Sequence, residues 1–105
     1  MAQWDVYVNP SARMRDEIPF LVDCQSDLLS GLETRLVAPL ALTRMTAAAL
    51  PRSLCPGFTV DGVAVVLLPQ ESGPISAHLL KRKVVSLRAH ARDIVGAIDA
   101  VMGSI

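Results

Sequence analysis

The chain has 105 residues, 51% of them hydrophobic and 19% charged. This composition excludes intrinsic disorder and supplies enough apolar material for one core but not two, so residues 1–105 are expected to form a single domain. Ten Lys and Arg balance ten Asp and Glu, whereas a nucleic-acid binder draws on phosphate contacts and shows a basic excess, so direct nucleic-acid binding is not expected. A mean hydropathy of +0.41 is high for so small a chain and points to apolar surface covered by a second copy, most simply in a homodimer.

The opening "MAQWDVYVNP" has neither the basic segment nor the long apolar segment of a signal peptide. The apolar run at 63–68 is too short to span a bilayer. A cytoplasmic protein with no membrane partner is expected. Trp4, Val6 and Val8 alternate with Asp5, Tyr7 and Asn9, the period of a half-buried strand that Asn9-Pro10-Ser11 ends. A second strand is expected over 18–27, with Phe20, Val22 and Cys24 on one face and Leu21, Asp23 and Gln25 on the other. "SGLET" at 30–34 reads as a turn, and "RLVAPL" as a returning third strand that Pro39 stops. Propensity predicts a helix over 41–50, "ALTRMTAAAL". Residues 58–60 and 63–68 flank Asp61-Gly62, a pair that accepts the positive φ of a tight hairpin turn. "PQESGP" at 69–74 reads as a loop, and 75–85 stays ambiguous. Lys81-Arg82-Lys83 reads as a solvated loop.

The last element is the clearest. Ser86 is a candidate N-cap, and Leu87, Ala91, Ile94, Ile98, Val101 and Ile105 recur at helical spacing, with Arg88, Arg92 and Asp99 on the opposite side. Gly96 costs such a helix about 1 kcal/mol relative to Ala. Five or six short strands and one terminal helix make a small, mostly β barrel or sheet.

Catalytic groups are sparse in the sequence. It contains no phosphate-cradling Gly-rich loop and no GxSxG elbow, and Cys24 and Cys55 match no metal or redox spacing, so they read as reduced thiols. His78 and His90 each stand alone. Asp23 and Asp27 could do acid–base work only from one shared pocket, and the simpler reading has Asp and Ser satisfying backbone donors in a turn. Neither an enzyme nor a cofactor nor a metal site is expected. Apolar residues in positions that ought to be polar are more informative: Leu28 and Leu29 after "QSD", Leu32 in the turn, and Met102 and Ile105 at the end. As adjacent strand residues, Leu28 and Leu29 point to opposite faces, so one of them should meet solvent or a partner.

"VDCQSDLL" at 22–29 followed by "TRLVAPL" at 34–40 resembles the signature of the CcdB family of toxin–antitoxin toxins. The opening "VYVN", "LCPGFTVDG" at 54–62 and "VVSLRAHARDIVGAIDAV" at 84–101 add to the likeness, which runs over nearly the whole chain. The resemblance implies an SH3-like antiparallel β barrel with a small extra sheet and a C-terminal α-helix, assembled as a symmetric homodimer. The 41–50 segment would then be an irregular connection. It implies a non-enzymatic toxin that binds the A subunit of bacterial DNA gyrase, traps the complex in which DNA is cut, and is neutralised by a cognate antitoxin. Position by position, the gyrase surface falls on Leu28, Leu29, Asp99, Met102, Gly103, Ser104 and Ile105, and the dimer contact on Ile98, Val101 and Met102. The best-known member ends in Phe-Trp-Gly-Ile; this chain has Met102-Gly103-Ser104-Ile105, with no aromatic anchor. Two other readings compete: an endoribonuclease toxin of the MazF/Kid type on the same barrel, and an antitoxin-binding relic without toxicity.

Overall fold

The computed structural model describes residues 1–45 and 51–103. Among these, seven strands precede one helix: β1 (Asp5–Val8), β2 (Phe20–Asp23), β3 (Thr34–Leu42), β4 (Gly57–Val60), β5 (Val63–Leu67), β6 (Gly73–Ser76), β7 (Lys83–Ser86) and α1 (Ala91–Val101). The strands make one curled antiparallel sheet in the order β4-β5-β3-β2-β1-β7, with β6 branching from β3. This half-barrel with a C-terminal helix is the mostly β, α+β architecture expected. The expectation of five or six strands missed that β6 and β7 lie in the stretches read as a loop and as ambiguous.

β3 organises the sheet, and it runs through Pro39 rather than stopping there. Leu36 and Leu42 turn their backbone toward the β2 side, where Leu36 O accepts the Cys24 N–H (2.8 Å) and the Leu42 N–H reaches Glu17 O (2.9 Å). The odd-numbered residues face the other way. Thr34 to Val37 pair there with β6, and Leu40 to Leu42 with β5. Pro39 falls in the gap between those two partners, where its missing N–H deprives no strand of a bond, and its carbonyl still accepts from the Leu68 N–H (3.0 Å). Beyond it, Ala41 and Leu42 stay in register with Val66 and Val65. Strand pairing therefore overrides helix propensity at the start of 41–50, and Thr43–Met45 forms a single 3₁₀ turn. Residues 46–50, where the expected helix would continue, lie outside the described residues.

β1 is buried on both faces, not one. Trp4, Val6, Phe20, Val22, Ala38, Leu40, Val60, Val65 and Leu67 form the main core with Leu87, Ile94 and Ala97 from the helical end. On the opposite face Tyr7, Leu21, Val37 and Leu80 make a second cluster, with Ile18 and Ile75 against it. Each fully buried aliphatic side chain contributes about 1.5–3 kcal/mol. The hairpin forms as read, with Asp61 at φ +50° and Gly62 at φ +77° between β4 and β5. Lys83 belongs to the edge strand β7 rather than a loop, with its Nζ 3.3 Å from Asp5 Oδ1; lysine on an edge discourages pairing with other chains.

The helix begins later than its sequence pattern suggests. Ser86 ends β7, and its Oγ accepts the Arg88 N–H (3.2 Å) in a 3₁₀ turn, Arg88–His90, that precedes α1. Leu87, Ile94 and Ala97 are buried, Ala91 and Ile98 are partly so, and Val101 has drifted off the core onto the surface. The helix ends there because Gly103, at φ +72°, takes the left-handed conformation of a C-cap. The Met102 N–H bonds to Ile98 O (3.0 Å) and the Gly103 N–H to Ala100 O (3.2 Å).

Candidate functional site: an exposed apolar turn and the end of the helix

The expected second strand, 18–27, is paired only over Phe20–Asp23 because polar side chains bend the chain at its end. Asp23 Oδ1 accepts the Gln25 N–H (3.0 Å), and Ser26 Oγ accepts the Leu28 N–H (3.2 Å) at the start of a 3₁₀ turn, Asp27–Leu29. The Leu29 N–H closes on Ser26 O (2.9 Å) and the Ser30 N–H on Asp27 O (3.2 Å). Strand alternation would have turned one of Leu28 and Leu29 inward. The turn instead turns both outward, leaving Leu28 94% and Leu29 50% exposed, with Leu32 and Leu36 also exposed nearby in sequence.

Asp23 and Asp27 share no pocket. Asp27 is exposed and accepts the Gln3 N–H (2.9 Å), while Asp23 is fully buried against Arg35. Arg35 Nε donates to Asp23 Oδ2 (2.8 Å). Arg35 Nη2 lies 2.6 Å from that same oxygen but off the hydrogen-bonding direction, so this second approach is Coulombic. Arg35 is only 1% exposed, and sequence reading passed over it. The available signal was an Asp and an Arg on the same face of neighbouring strands, opposite the main core, since a buried charge needs a partner.

At the other end of the chain, Asp99, Val101, Met102 and Gly103 are exposed, Met102 at 79%. Val95, also exposed, sits one and two turns before Asp99 and Met102 and extends this face; the sequence pattern missed it because it lies off the core stripe. Ile98 is half-buried against the main core, so of the expected dimer contacts Val101 and Met102 offer the larger free surfaces. Ser104 and Ile105 lie outside the described residues. The site residues thus fall on two separate elements, the 3₁₀ turn and the end of α1. The N-terminal arm bridges their roots: the Trp4 N–H donates to Asp23 O (2.6 Å), and Trp4 O accepts the Leu87 N–H (2.8 Å). Trp4 holds φ +74°, a strained value for a bulky residue costing about 1–3 kcal/mol.

The CcdB protein family model matches residues 3–103 of the chain, nearly its whole length. The chain belongs to the CcdB family. It is therefore a toxin of the toxin–antitoxin class. A comparison with curated proteins returns no match.

Other polar and concave features among the described residues of this CcdB-family chain lie apart from the two elements. His78 Nδ1 is 2.8 Å from Ser76 Oγ on the surface, and His90 stands edge-on to Phe58 with ring centroids 5.3 Å apart. A cavity of about 490 Å³ opens on the outer face of the sheet over Leu21, Val37 and Pro39, and among the described residues Glu71 is the one ionisable residue lining it. A smaller cavity of about 270 Å³ is lined by Arg15, Lys81 and Arg82, with neither a histidine nor a carboxylate among its lining residues. Among the described residues no three His, Cys, Asp or Glu side chains are grouped to hold a metal ion, and no helix is long and apolar enough to cross a membrane. Cys24 and Cys55 are buried free thiols. Burial, reinforced by the Asp23 charge, pushes the Cys24 thiol up to about 12. Burial also raises the Cys55 thiol, against a lowering contribution from Gln70.

Proposed function

We propose that this CcdB-family chain is a toxin that binds the A subunit of bacterial DNA gyrase and traps the gyrase–DNA cleavage complex, with a cognate antitoxin as its second partner. It acts by binding, not by catalysis, as a cytoplasmic homodimer whose single domain spans residues 1–105. The gyrase surface comprises Leu28, Leu29, Asp99, Met102, Gly103, Ser104 and Ile105, and Ile98, Val101 and Met102 form the dimer contact.

One observation carries this reading: Leu28 stands 94% exposed on a turn held by hydrogen bonds, in a chain whose family consists of toxins. A leucine held in water gains nothing for folding, and a few desolvated apolar anchors supply most of the energy of a protein interface. Met102 is exposed in the same way and is unbranched and adaptable, a side-chain type frequent at binding surfaces. Exchanging an aromatic anchor for such residues can cost a few kcal/mol, on the order of a hundredfold in affinity. The MazF/Kid-type ribonuclease reading needs a basic groove holding an acid–base group. The Arg15-Lys81-Arg82 cavity supplies the charge alone.

Purified protein, gyrase, ATP and supercoiled plasmid, stopped with detergent and protease, should accumulate linear DNA. Absence of linear DNA at saturating protein would count against gyrase poisoning, and growth of cells expressing the chain without antitoxin would then favour the harmless relic. Deleting residues 103–105 should leave fold and dimer intact and abolish target binding; loss of the dimer would show that the tail is structural.

A further inference from the structure

We propose that Gln25 is a positioning residue for target recognition: its buried side-chain amide holds the Leu28–Leu29 turn in a preformed shape. This rests on the reading that the turn meets the target. The ladder between β2 and β3 reaches Asp23 opposite Val37, and the Cys24 N–H adds one more bond, to Leu36 O (2.8 Å). Past that point the Gln25 side chain stands in for the strand. Its Nε2 donates to Thr34 O (3.0 Å) and to Leu29 O (3.0 Å), and its Oε1 accepts the Leu36 N–H (3.0 Å). Both amide donors and the carbonyl are thereby engaged with backbone on the far side of the loop.

Gln25 is buried, so these bonds are shielded from competing water. The turn it closes has no apolar anchor of its own, since Leu28, Leu29 and Leu32 are all exposed. Its other side-chain ties are the local Ser26 cap and the Asp27 contact to the Gln3 N–H, both on the near side of the loop, and its backbone bonds, such as Leu32 N–H to Leu29 O (3.1 Å), stay within the turn. Among the described residues, Gln25 alone joins the exit of the 3₁₀ turn to the start of β3 through a side chain. A turn fixed before binding avoids the ordering cost that a loose loop would incur on meeting its partner.

The test compares Gln25→Met, which keeps the length and removes the amide, with Leu28→Asp, which removes a contact. Binding to the gyrase A subunit and amide hydrogen exchange are measured on both and on the unaltered dimer. Gln25→Met should weaken binding at least tenfold and speed exchange at Leu28, Leu29 and Leu32, while Val22 and Val65 in the core keep their slow exchange. If Leu28→Asp weakens binding and Gln25→Met does not, the positioning role is wrong and the reading of the site survives. If Leu28→Asp has no effect, that reading itself fails. Should Gln25→Met not fold, the unaltered protein decides. Slow exchange at Leu36 together with protection at Leu29 supports the preformed turn, and exchange of Leu29 and Leu32 at the rate of an unstructured peptide overturns it.

Discussion

Two neighbouring stretches, Phe20–Asp23 and Asp27–Leu29, are both rich in apolar residues and end up as opposites. The first is buried at every position, its acidic residue included; the second has no buried residue at all. The difference lies in what each backbone bonds to. β2 has a strand on either side and disappears into the sheet, whereas the turn has its backbone bonds met locally and by the side chains of Ser26 and Gln25, so its leucines are left over. Apolar character alone does not decide burial; the hydrogen-bond partners of the backbone decide which residues remain free for a partner.

The contrast can be broken most severely from the buried side. Arg35→Leu strands the Asp23 carboxylate without its counter-charge and should lower unfolding free energy by about 3–5 kcal/mol, read by urea denaturation. Pairing Arg35→Met with Asp23→Asn, whose Oδ1 can still accept the Gln25 N–H, should recover much of that loss. The two faces of α1 sharpen the comparison at a smaller scale. Ile94→Ala, inside the core, should cost about 2–5 kcal/mol, while Val95→Ala on the exposed face should stay within about 0.5 kcal/mol. Gly62→Ala, at φ +77° in the hairpin turn, should cost about 1 kcal/mol, read as a small fall in melting temperature.

The smallest effect at ordinary pH comes from Cys24. Its thiol ionises near 9 in the unfolded chain and only at about 12 when folded. Its contribution to stability is therefore fully present below about pH 9 and is lost as pH rises toward 12. Tyr7, raised mainly by burial and then by Asp5 and Asp23, against an opposing contribution from Arg35, acts in the same direction. Urea midpoints should hold at pH 8 and fall by pH 10.5, less steeply in Cys24→Ala.

Much of this was legible in the sequence where one local rule acts alone. Asp61-Gly62 gave the hairpin, the alternation of Phe20, Val22 and Cys24 gave a core face, and the 94–98 stripe gave the helix. Failures came where a second partner intervened. Pro39 reads as a stop because its harmless position depends on where β6 ends and β5 begins, and 41–42 reads as helix because the pairing with β5 is not local. The site was half legible. Strand alternation predicts that one of Leu28 and Leu29 is exposed, whereas both are, and the reason, a 3₁₀ turn stapled by Gln25, depends on contacts nine and eleven residues away.

The central claim is that the residues left out of the core are the ones that meet the target. Its most direct test is the affinity of the gyrase A subunit for the unaltered protein and for Leu28→Asp, measured beside the melting temperature of each. The account predicts at least a tenfold loss of affinity with the melting temperature unchanged. Equal affinity, or a large fall in melting temperature, would contradict it.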